Sequence, residues 1–408
     1  NGINMIDYHL LLSVLIGVSI LIILILKFKI QPFLGLLISS ILVGVLAGVA
    51  PLEIMNTVKE GMGSTLGFVA VVVGLGAMFG AILEHSGGAE ALAQYLLKSF
   101  GEKNASWALM ITGFFIAIPV FFDVAFIILI PLVYSLQRKT KKSMLLYAIP
   151  LLAGLAITHA FIPPTPGPVA VADILNADLG WVILVGFIVG IPTAIVSGPI
   201  FGKFIASKIF IAAPKKIDEK VVDNFPPISL ILSIIATPIL LIVLNTLLNS
   251  PLGSSLNLSD KTITWLQMIG HPFSALIIAN LMAWYLLGIR RGVSKAILSK
   301  ITSASLAPAG IIILLTGAGG VFKQMLITTG TGEMLANYFS SIGLSVLLFS
   351  FLAAVCVRIL QGSSTVAMIT AAGITSSLIT TPLGEFHTAL IVISIAAGAS
   401  ILSHVNDS

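Results

Sequence analysis

The 408-residue chain is 57% hydrophobic and only 9% charged, with a mean hydropathy of +1.11 and a net charge of +5. A soluble globular chain carries about 25% charged residues, so this composition excludes one. The positive charge does not indicate nucleic acid either, because the basic residues cluster in short loops between apolar runs, the bias of cytoplasmic loops in membrane proteins.

The first run, Leu10–Leu26, has the length of a bilayer span and is followed at once by Lys27 and Lys29, a stop-transfer pattern rather than a cleaved signal. Four basic clusters, Lys27/Lys29, Arg138–Lys142, Lys203–Lys220 and Arg290–Lys300, are expected on the cytoplasmic side, which leaves the N-terminus outside. Gln31–Ala50 then runs outward and Gly67–Glu84 inward. Gly88–Phe100 has Leu92, Leu96 and Phe100 on one face and lies along the cytoplasmic surface.

From Lys103 to Arg138 both ends are basic, and the roughly 34 residues between them are too few for two spans of about 20 residues and too many for one. The economical solution is a re-entrant hairpin with its tip near Pro119–Asp123; a long proline-kinked helix is the alternative. Ser143–Thr158 enters the membrane and meets Pro163, Pro164, Pro166 and Pro168, which remove amide donors and break the helix. Val169–Leu175 resumes outward, Trp181–Phe201 returns, and residues 203–227 form a cytoplasmic linker.

The second half repeats this plan. Gly76, Phe79, Leu83, Ser86, Gly87, Glu90 and Tyr95 recur as Gly319, Phe322, Leu326, Thr329, Gly330, Glu333 and Tyr338. The two copies run in opposite directions through the bilayer, which predicts an all-α polytopic protein of two inverted-topology repeats, each with a re-entrant hairpin and a broken transmembrane helix. The expected divisions are N-terminal helices in 1–60, a first repeat in 61–202, the linker, connecting helices in 228–300 and a second repeat in 301–408. The second hairpin tip falls at 361–365 and the second break at 403–408. Nothing follows to match Ile162–Phe201, so the natural protein is expected to continue.

Polar backbone at bilayer depth is tolerated only where it is buried in protein or lines a cavity, so the two tips and two breaks are expected to converge. A helix starting at such a break offers free amides and a positive dipole end suited to a carboxylate. Candidate substrate ligands are Thr165, Pro166 and Gly167 at the first break, Gln361, Gly362, Ser363, Ser364 and Thr365 at the second tip, and Asn406 and Ser408 at the second break. Small hydroxyl residues also serve plain helix contacts. Ionisable groups at depth are functional candidates, here Asp123, His159, His404 and Asp407 for proton loading, although each histidine could equally cap its half-helix. Arg358 either binds a carboxylate or neutralises Asp123 or Asp407.

Several other residues have plainer readings. Glu84, His85, Glu90, Lys98, Glu333, Glu385 and His387 fall at interfaces, Lys323 near a helix end can snorkel, and His271 beside Pro272 caps a helix. Cys356, the lone cysteine, excludes an intramolecular disulfide and reads as a packing residue. No nucleotide-binding loop, nucleophile elbow or metal-spaced cluster is present, so neither an enzyme nor an ATP-driven pump is indicated, and no cofactor is expected.

Thr158–Pro168, together with Gln361–Thr365 and Ser403–Ser408, resembles the gluconate/proton symporter (GntP) family of bacterial inner-membrane permeases, and the likeness runs from about Asp7 to Ser408. The resemblance implies proton-coupled uptake of gluconate or a related hydroxy-carboxylate. It also implies the ion-transporter superfamily fold with an elevator-like moving domain, usually in a lipid-embedded homodimer. Members also take idonate, fructuronate or D-serine. Sodium coupling, and a channel or sensor that does not concentrate its ligand, are the rival readings.

Overall fold

A computed structural model describes residues 8–214, 225–249, 259–331, 334, 344–361, 363–379 and 383–402. His404, Asn406, Asp407, Ser408, Gly362, Glu333, Tyr338 and the charged part of the linker, Lys215–Lys220, lie outside the described residues. Those described form helices and irregular turns, with no strand among them. Among the described residues, seven helical stretches are long and apolar enough to cross a membrane.

The helices, in order, are α1 Tyr8–Leu26, α2 Pro32–Leu46, α3 Pro51–His85, α4 Gly88–Phe100, α5 Ala105–Ile116, α6 Phe122–Thr140, α7 Leu145–Phe161, α8 Pro166–Leu175, α9 Leu179–Ile195 and α10 Phe201–Ala206. There follow α11 Ile228–Asn249, α12 Asp260–Gly270, α13 Pro272–Ala283, α14 Lys295–Thr328, α15 Val346–Gln361, α16 Ser364–Ser376 and α17 Glu385–Ala399. His271 caps α13 as the sequence suggests, its Nδ1 accepting the Phe273 amide at 3.3 Å.

The two copies of the repeated stretch end the two longest helices, α3 with 35 residues and α14 with 34. Each starts well before the apolar run that marks it in sequence, because the polar first turns still satisfy their backbone within the helix. Each then closes alike. Gly87 and Gly330 take φ of +74° and +71°, the left-handed conformation that favours glycine. The preceding Ser86 and Thr329 hydroxyls donate to the Leu83 and Leu326 carbonyls at 2.7 and 3.2 Å.

The chain divides into two compact units that interleave along the sequence. Unit 1 holds Asn1–Val73, Pro166–Val182 and Pro308–Ser408. In it α1 packs on α2, α15 on α16 and α17, and α8 on α16 and α17. The first part of α3 crosses α14 where glycines face each other's backbone: a Cβ on Gly61 would sit 2.7 Å from the Val321 Cα. Unit 2 holds Gly74–Thr165 and Ile183–Ala307, in which α5 packs closely on α7, and α11 on α12 and α13.

One packing device recurs in both units. A Cβ on Gly154 of α7 would lie 2.2 Å from the Met110 carbonyl oxygen of α5, and one on Gly398 of α17 would lie 2.4 Å from the Phe351 carbonyl oxygen of α15. Lipid tails are as apolar as leucine, so membrane helices gain their contact by close backbone approach through small residues. Cys356 departs from its sequence reading: it lies exposed on α15 rather than packed.

Candidate functional site

In unit 2 the first break and the first tip come together on one face of α3. The tip, Ala117–Phe121, separates α5 from α6, and α5 with 12 residues rises about 18 Å, too short to cross the hydrocarbon core alone. A Cβ on Gly80 would meet the Pro119 carbonyl oxygen at 2.0 Å, and one on Gly76, a turn earlier, would meet the Pro164 carbonyl oxygen at 3.4 Å. The glycines spaced four apart thus seat two stretches of non-helical backbone. Asp123 sits exposed in the first turn of α6, where a carboxylate faces the positive end of the helix dipole. The Phe122 and His159 rings lie 6.4 Å apart, centroid to centroid.

The proline motif divides its work. Pro163 and Pro164 occupy the gap between α7 and α8, while Pro166 and Pro168 stand in the first turn of α8, where their missing amides cost no intrahelical bond. His159 remains helical, in the last turn of α7. Thr165, 4% exposed, donates its hydroxyl to the Ile162 carbonyl at 2.6 Å and so tightens the turn into α8.

In unit 1 the start of α8 meets the start of α16. A Cβ on Gly167 would lie 3.0 Å from the Met368 sulfur, and the Ser364 hydroxyl reaches the same sulfur at 4.0 Å. The first turn of α8 and the first two turns of α16 are thus joined through one side chain, Met368. Prolines at 166 and 168 leave α8 with the Gly167 and Val169 amides, so α16 brings the fuller set of donors, from Ser364, Thr365 and Val366. Ser363, at the cap position, Ser364 and Thr365 are half-buried. Deeper in α16 the Thr370 and Thr375 hydroxyls are buried without a hydrogen-bond partner among the described residues.

Two cations of unit 1, Arg358 and Lys323, donate to carbonyls at helix C-termini. Arg358, 1% exposed, donates from Nε to the Ile401 carbonyl at 3.3 Å, just past the end of α17. Lys323 does not snorkel as its position near a helix end suggests; its ammonium donates to the Ile174 carbonyl in the last turn of α8 and interacts with Asp173. Neither Asp173 nor this use of Lys323 was recognised in the sequence. The available signals were an acidic residue inside the apolar Val169–Leu175, and a lysine where the first repeat has Gly80.

Helices long and apolar enough to cross a membrane, with a break between α7 and α8, make this a multi-pass membrane architecture. The chain belongs to the GntP family of permeases, whose family description, "GntP family permease", it matches over residues 9–408. It is 39% identical to the low-affinity gluconate transporter of Escherichia coli K12, covering 98% of this chain and 89% of that one. It is 37% identical to the gluconate permease of Pseudomonas aeruginosa, with the same coverage. Among solved structures it resembles the YdaH transporter of Alcanivorax borkumensis, described as having an unusual topology, at a TM-score of 0.54 and 14% identity, covering 95% of this chain and 86% of that one. The protein is a multi-pass permease of the inner membrane and not an enzyme.

Proposed function

We propose that this permease takes up gluconate, or a closely related sugar acid, together with protons, and that it does so by an elevator-type movement. The observation that carries the reading is the pairing of the α8 and α16 starts through Gly167 and Met368. An anionic carboxylate is stabilised at such ends by free amides and by both dipoles. The hydroxyls of Ser363, Ser364 and Thr365 suit the polyol part of a sugar acid. Gluconate is the named substrate of the relatives above.

The helices α5 and α16, with 12 and 13 residues, are too short to span alone and support re-entrant hairpins. The matching ends of α3 and α14, and the glycine contacts of Gly154 and Gly398, support a repeat, read here as inverted in topology. Asp123 and His159 are the described candidates for carrying the proton; a lipid-embedded homodimer completes the reading.

Labelled gluconate uptake into proteoliposomes, under an inward proton gradient in sodium-free buffer, tests this directly. Accumulation above equilibrium is expected, and competition by a panel of sugar acids and D-serine ranks the substrates. A requirement for sodium would replace the coupling ion. Flux that only equilibrates would mean a channel. Asp123→Asn is expected to abolish accumulation while leaving exchange in part; unchanged accumulation would remove Asp123 from coupling.

A further inference from the structure

We infer that Asp173, with Lys323 as its fixed counter-cation, is a proton-binding site in unit 1 that links protonation to anion binding at the helix starts. The inference rests on the symport reading above and names a residue for it that lies on the same short helix as the proposed anion site. Every residue of α8 is buried except Asp173, which is half-buried. It stands seven residues from Pro166, about 10 Å along the axis at 1.5 Å per residue. One rigid helix thus carries an anion site at its positive end and a carboxylate near its negative end.

The partner of Asp173 is what allows both protonation states. Lys323 holds the Ile174 carbonyl as well as interacting with Asp173. When Asp173 is ionised, the pair is neutral. When Asp173 is protonated, the ammonium keeps its carbonyl and the negative end of the α8 dipole, which hold it in place, but its charge is balanced only once an anion binds. Few other charges compete. On the elements packed against α8, α16 carries no titratable side chain and α17 carries Glu385 and His387 in its first turn only. In the unit 1 part of α14 Lys323 is the only charged residue, and Asp178 lies past the end of α8.

Charge balance then gives the coupling. Relative to the empty unit with Asp173 ionised, adding one sugar-acid anion and one proton changes the net charge by zero. Adding either alone leaves an uncompensated charge at bilayer depth, which is costly. The empty and fully loaded forms are therefore the ones that cross, and the half-loaded forms are held back.

The test uses the full chain in proteoliposomes, with wild type, Asp173→Asn and Asp173→Glu compared under the sodium-free proton gradient. Asp173→Asn, neutral like the protonated side chain, is expected to exchange gluconate at a reduced rate but to accumulate none. Two charges about 10 Å apart in a protein interior should change affinity about tenfold, so wild-type KM is expected to rise about tenfold from pH 6 to pH 8, and that of Asp173→Asn to stay flat. Asp173→Glu should restore accumulation in part. Wild-type accumulation with an equally accumulating Asp173→Asn would overturn the inference and leave the symport reading standing. Loss of exchange in both variants would overturn it too, by making Asp173 a structural residue. A wild type that shows no proton-driven accumulation would bring down the symport reading itself.

Discussion

Replacing Gly80 by alanine isolates the contact that seats the first tip on α3. A Cβ there would lie 2.0 Å from the Pro119 carbonyl oxygen, 3.0 Å from its carbon and 3.4 Å from the Val120 Cα. All three are backbone atoms, so no side-chain rotation relieves the overlap; the turn must move by more than 1 Å, from 2.0 Å toward the ordinary limit of 3.4 Å. Overpacking of this kind costs about 1–3 kcal/mol, against which alanine recovers about 1 kcal/mol of helix propensity. Gly63 and Gly67 on the same helix have nothing within 4 Å, so there alanine should stabilise by about 1 kcal/mol. Thermal unfolding of the three purified variants in detergent, beside gluconate uptake, reads the contrast. Gly80→Ala should melt lower and transport poorly while Gly63→Ala and Gly67→Ala melt slightly higher. A Gly80→Ala protein as stable and active as Gly67→Ala would refute the seating of the tip on α3.

Three further outcomes are expected. Gly167→Ala should be mild, since the Met368 thioether can swing away, whereas Gly167→Val should weaken substrate affinity by about tenfold, with Met368→Ala restoring it in the double variant; additive losses in a double-mutant cycle would count against the paired helix starts. Arg358→Gln should lower stability by about 1.5–3 kcal/mol through loss of the charged hydrogen bond to Ile401, read as a drop in melting temperature with less change in KM. Glu90, on α4 outside the spanning helices, has its carboxyl raised above the ordinary carboxylate range by burial, with its own backbone amide opposing, and its Oε2 has no hydrogen-bond partner among the described residues. The folded state therefore holds that proton more tightly than the unfolded chain, so Glu90 disfavours folding increasingly as pH rises from the ordinary glutamate value of 4.5 through the raised one. Glu90→Gln should raise the melting temperature near pH 7.5 and lose that advantage near pH 4.5; equal melting at both pH values would show no such burial cost.

Much of this protein is written in its chain because a bilayer admits few solutions. Helices must satisfy their own backbone in hydrocarbon, so the apolar runs, the four prolines and the recurring glycine stretch placed the spans, the break between α7 and α8, and the shared endings of α3 and α14. The motif residues likewise carried the family. Spatial neighbours were not written there. That Gly76 and Gly80 seat Pro164 and Pro119, that Gly167 meets Met368, and that Lys323 reaches back to the end of α8 depend on contacts between segments far apart in sequence. Arg358 and Lys323 looked like ligands or snorkelling side chains because a charge in an apolar run does not name its partner. Only packing shows which helix end it neutralises, since the energy of a buried charge is set by the groups within a few ångströms of it and not by its sequence neighbours.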